Sequence, residues 1–235
     1  MPAFEIMPDR LVSVIDSGPP RSTTHRQKGN DSMHCKSYFH DILFQINPHL
    51  THHFGIAWIR GIDVEQSAHR LGASLDHATS VTLADPLEGA ELDPAWGDDS
   101  SVYLIGEADE GGWTICMQVQ GWRLIEPETL SSLSRNGGQV LVLATHFSDI
   151  TKVFWAENGG PAKCVDLYEA HRLFPHLTDG LPLLHSTIED VAWDERAPEI
   201  LSEGFILAGR VTGEEITETW LRLHHERYIV AHDTP

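Results

Sequence analysis

From residue 111 the chain reads GGWTICMQVQGW. Strict alternation runs between the two tryptophans. Trp113, Ile115, Met117 and Val119 share one face, and Thr114, Cys116, Gln118 and Gln120 share the other. A period of two marks a strand, because successive side chains leave a pleated backbone on opposite sides. The run before it, SVYLIGEA, joins it through DEGG, so the two predict a β-hairpin. Trp122 lies an odd number of residues after Trp113. It is expected to point the other way or to sit beyond the strand end, so the two rings form no single platform.

Around this hairpin the pattern predicts further elements. SYFHDILFQI places Phe39, Ile42, Leu43 and Ile46 at helical spacing, and Pro48 stops that helix. FGIAWIRG reads as a strand. In IDVEQSAHRLGAS, Asp63 is a helix cap, Gln66 occupies the third helical position, and Gly72 ends the helix. IEPETLSSLSRNGG is a second capped helix, with Pro127 in the first turn and Asn136-Gly137 at the stop. QVLVLATHF, KVFWAEN and AKCVDLYE are strands, the last two joined at Asn158-Gly159-Gly160. The C-terminal third is expected to be helical, interrupted at Pro198, with a last helix over EEITETWLRLHHERYIVAH. The expected class is α+β: a mainly antiparallel sheet of five to six strands with an inserted helix, flanking helices and a helical C-terminal region. Residues 1–34 are expected to form a poorly ordered extension, since SGPPRSTTHRQKGNDS is polar and aperiodic. Residues 35–235 make one α+β domain.

Three sequence blocks carry a resemblance: IAWIRGIDVEQSAHRLGA, GGWTICMQVQGWRLIEPETLSSLSRNGGQVLVL and KVFWAENGGPAKCVDLYEAHRLFP. Together they resemble a bacterial domain-of-unknown-function family, of the type found in filamentous soil bacteria. The resemblance covers residues 37 to about 200. It implies an α+β fold and transfers no catalytic residue. Architecture and acidity are also similar to small immunity-type proteins of bacterial conflict systems.

The 235 residues hold 16 Lys and Arg against 35 Asp and Glu, a net charge of −19. Such a field disfavours nucleic acid and anionic lipid, which require clustered cations. It favours a basic protein partner. From Arg70 to Arg123 there is no intervening Lys or Arg, and the window contains Asp98, Asp99, Asp109 and Glu110 among its acids. Trp96 lies in ELDPAWGDDS, a polar loop where an aromatic can anchor a partner. Trp96, Asp98, Asp99, Asp109, Glu110 and Trp122 are therefore the expected partner-binding residues.

Motifs for chemistry are missing. There is no HExxH, GxSxG, GxxxxGK[ST], GxGxxG or DxDxDG. His49, His52 and His53 cluster in HLTHH, but Pro48 and the following strand favour a loop. No catalytic residue, metal or cofactor is assigned. Cys35, Cys116 and Cys164 form no CxxC pair, and alternation predicts that Cys116 and Cys164 are buried and inert. Reduced cysteines, no secretory signal and no spanning apolar run lead to the expectation of a cytoplasmic protein. The leading expectation is an interaction module, immunity-like or regulatory. Two alternatives stand beside it: a hydrolase-like enzyme using His146 and Asp149, and a homodimer paired through a strand edge.

Overall fold

The computed structural model describes residues 37–51, 54–87, 100–108, 112–146, 149–185 and 193–231. Eight strands form one sheet: β1 Phe54–Arg60, β2 Thr79–Val81, β3 Ser101–Glu107, β4 Trp113–Gln120, β5 Gln139–His146, β6 Asp149–Glu157, β7 Lys163–Asp166 and β8 His225–Val230. Their order is β2-β8-β3-β4-β1-β5-β6-β7, and every adjacent pair is antiparallel. The helices are α1 Tyr38–Ile46, α2 Val64–Arg70, α3 Pro127–Leu133, α4 Trp193–Thr212 and α5 Glu218–Arg222.

The α+β class holds, but the strand number is corrected from five or six to eight. The six strands legible in the sequence are contiguous, from β3 to β7. The two extra strands, β2 and β8, extend one edge. The long final helix is also corrected. Thr217 caps α5 by accepting the Trp220 N–H at 3.1 Å, and Leu223 is already extended. The chain then enters the sheet as β8. Conversely, Pro198 does not interrupt α4, which runs through it. Proline lacks an N–H, so at the sixth position of α4 it forgoes the bond to the carbonyl four residues back without ending the helix.

Both sheet faces are buried. Trp113, Ile115, Met117 and Val119 join Trp58, Leu141, Leu143 and Phe205 in one core, under α1, α4 and α5. Cys116 joins Ala57, Ile59, Val140 and Val142 in the other, under α2 and α3. The polar residues of β4 on that second face are satisfied. Thr114 donates to the Ile62 carbonyl at 2.8 Å. The Gln118 amide accepts from Leu124 N–H at 2.8 Å and donates to Ser101 Oγ at 3.1 Å. Buried polar groups are tolerated when hydrogen-bonded in this way.

The sequence punctuation acts as expected at α2 and α3. Asp63 accepts the Gln66 N–H at 2.8 Å. Beyond α2, Ala73 N–H reaches the Ala68 carbonyl across a left-handed Gly72, the usual αL closure of a helix end. Pro127 opens α3, and Asn136 and Gly137 both adopt positive φ after it. Cys116 is buried, but Cys164 is exposed, contrary to the alternation-based expectation. It sits on β7, the edge strand of the sheet, where no further strand among the described residues pairs beyond it.

Candidate functional site

Of the expected partner residues, only Trp122 lies among the described residues. Trp96, Asp98, Asp99, Asp109 and Glu110 lie outside the described residues. Trp122 is 38% exposed, just beyond the end of β4. Gly121 before it must be glycine: its φ is +82°, and a Cβ there would sit 2.4 Å from Ser101 Oγ. Ser101 lies at this same end of the sheet, and at the other end the Ala108 N–H bonds to the Trp113 carbonyl.

The hairpin end holds a cleft of about 640 Å³ built from three distant segments. Antiparallel pairing sets Ile105 of β3 opposite Glu226 of β8. Glu107, two residues after Ile105, shares that face. His224, just before β8, lines it as well. The first turn of α2 covers this face and adds Asp63 and Glu65. Four carboxylates therefore converge from Asp63, Glu65, Glu107 and Glu226, and no Lys or Arg lines the cleft.

The positions are held firmly. The buried Tyr228 hydroxyl donates to the Glu226 carboxylate. Burial pushes the Tyr228 hydroxyl well above its ordinary range, so it remains a protonated donor. On the opposite face, the Trp220 indole N–H donates to the Glu107 carbonyl at 3.0 Å. The Trp220 ring lies over His225 with centroids 4.3 Å apart. Gly106 permits this approach, because a Cβ there would be 3.0 Å from His225 Nδ1. Burial pushes the His225 imidazole below its ordinary value, so it adds no positive charge at neutral pH.

Among the described residues no group of three or more His, Cys, Asp and Glu is disposed to hold a metal ion. The cleft presents diffuse negative charge from side chains on three segments. His146 and Asp149 stand opposite each other by register at the β5–β6 turn, but their side chains lie outside the described residues. His49 is exposed, and His52 and His53 lie outside the described residues. No helix among the described residues is long and apolar enough to cross a membrane.

Sequence reasoning missed the cleft because its parts are more than 40 residues apart at each step. Asp63 and Glu65 read as a helix start, Glu107 as one acid among many, and Glu226 as part of a helix. A strand assignment for HERYIV would have exposed the alternation of Glu226 and Tyr228.

Residues 36–232 match the model of a family of unknown function, DUF6461. The match spans most of the chain, so the protein belongs to that family. No curated protein and no solved structure matches it.

Proposed function

We propose that this member of the DUF6461 family is an interaction module, immunity-like or regulatory, that docks a basic protein partner at the carboxylate cleft. One observation carries the reading: four carboxylates converge at the ends of β3, β8 and α2 with no lysine or arginine among the cleft-lining residues. The overall charge of −19 extends this local field over the whole molecule. Such a field concentrates cationic partners and accelerates encounter, while repelling nucleic acid and anionic lipid. It also opposes self-association through this face, because two copies would bring like charges together. A cleft of this size has room for Lys and Arg side chains, whose stems would run along half-buried Val64 with the charged heads towards the carboxylates.

The test is capture from host lysate on immobilised protein, washed first at low and then at high salt, with a Glu65→Lys/Glu107→Lys variant in parallel. The reading predicts a basic protein that is retained at low salt, released at high salt and missing from the charge-reversed variant. Capture that ignores both salt and charge reversal, or no captured protein at all, contradicts it.

A further inference from the structure

A second cleft, of about 620 Å³, lies at a glycine-rich corner of the sheet, far along the strand order from the acidic one. We propose that it is a binding site for a small neutral, polyhydroxylated ligand of sugar size. Two turns form its rim and are tied to each other. Gly137 N–H donates to the Asn158 side-chain oxygen at 3.1 Å, and Asn158 N–H donates to the Gly138 carbonyl at 2.8 Å. Gly159 N–H donates to the Ser134 carbonyl at 2.9 Å, and Ser131 Oγ returns a bond to the Gly159 carbonyl at 2.8 Å. Asn136, Gly137, Asn158 and Gly159 all hold positive φ, so the rim is a set of fixed left-handed turns. A rim closed on itself costs little further ordering when a ligand binds.

The floor carries four functional side chains on one face. Trp155 stands directly opposite Lys163 across β6 and β7, and Gln139 stands opposite Glu157 across β5 and β6. Trp155 and Glu157 are two apart on one strand, so all four share a face, within about 5 to 7 Å of their neighbours. Trp155 is half-buried, and Phe174 fixes its ring from the side at 5.7 Å and 88°. The Gln139, Glu157 and Lys163 side chains make no hydrogen bond or ion pair with another described residue. They present an amide, an acceptor and a donor unspent beside a fixed indole.

The chemistry selects the ligand class. Among the lining residues one positive and one negative side chain cancel, and Arg60, opposite Gln139, is turned over the Trp113 ring, so the cleft itself has no net preference for ions, while the surrounding field of a −19 chain repels anions. Unspent donors and acceptors around one aromatic wall suit a ligand whose hydroxyls both give and accept, and whose ring has an apolar face. A pyranose has these properties. A few convergent polar groups with aromatic lining in a preformed cleft are the usual make-up of a small-molecule site.

The test is an amide and indole NMR titration of the full chain with three probes: methyl glucoside, methyl galactoside and methyl N-acetylglucosaminide, each into the tens of millimolar. At least one should shift the Trp155 indole N–H and the Gly160 amide saturably, leaving Gly106 in the acidic cleft unmoved. Lys163→Met should weaken that affinity several-fold with an unchanged spectrum elsewhere. Trp155→Ala should abolish it, and Trp155→Phe should restore part of it. No saturable shift at Trp155 with any of the three glycosides overturns the proposal. So does a site that responds only to parallel titrations with glycine or a nucleoside monophosphate.

Discussion

Replacing Glu203 with glutamine should make stability less sensitive to pH. Glu203 lies on α4, half-buried, and accepts the Leu183 N–H at 3.0 Å. Burial pushes its carboxyl up from 4.5 to about 7, against the pull of the Leu183 and Leu184 N–H groups and of Arg196, with Glu199 pushing further upward. The folded state therefore holds a proton that the unfolded state releases between these values. That contribution to stability is full below about pH 4.5 and is lost as pH rises through 7. At about 1.4 kcal/mol per pH unit the gap sets an upper bound of about 3.5 kcal/mol. The side chain is partly open to solvent, and screening cuts this to about 1–2 kcal/mol. Glutamine copies the neutral form and keeps an oxygen for Leu183. Urea unfolding at pH 5 and pH 8 should thus show Glu203→Gln gaining about 1–2 kcal/mol on the parent as pH rises. A difference between the two proteins that is equal at both pH values would refute the reasoning.

Three more predictions concern the fold and the acidic cleft. Asp63→Ala should cost about 1 kcal/mol by removing the α2 cap, while Asp63→Ser should keep the cap and lose only the charge. Thermal melts should separate these two, and the serine variant should bind the basic partner more weakly at parental stability. Gly106→Ala should destabilise by about 1–2 kcal/mol, since its methyl would sit 3.0 Å from His225 Nδ1, next to the Trp220 ring; denaturant midpoints would show it. In a Cys35→Ser background, a thiol reagent should label exposed Cys164 in the native protein and buried Cys116 only on unfolding.

The sequence made some elements legible because local and tertiary signals agreed there. β4 alternates along eight residues, and both its faces pack as that alternation implies. α2 has a cap at Asp63 and a stop at Gly72, and both are used. β8 was hidden for a physical reason. It begins three residues after a short capped helix, and the apolar spacing of Ile216, Trp220 and Leu223 runs on as if helical. Only pairing with β3 on one side and β2 on the other makes HERYIV a strand. β2 is three residues long, too short to carry a period. The acidic bias was visible, but its placement was not. Charge counts are blind to register, and register is what brings Glu107 and Glu226 together beneath α2.

The most direct test of the central claim is the association rate of the captured basic partner, measured against the parent and the Glu65→Lys/Glu107→Lys variant at low and high ionic strength. Docking at the carboxylate cleft predicts a parental rate that falls steeply with salt, and a variant rate that is slow and nearly flat. Equal rates for the two proteins, with the same salt dependence, would place the contact elsewhere and contradict the account.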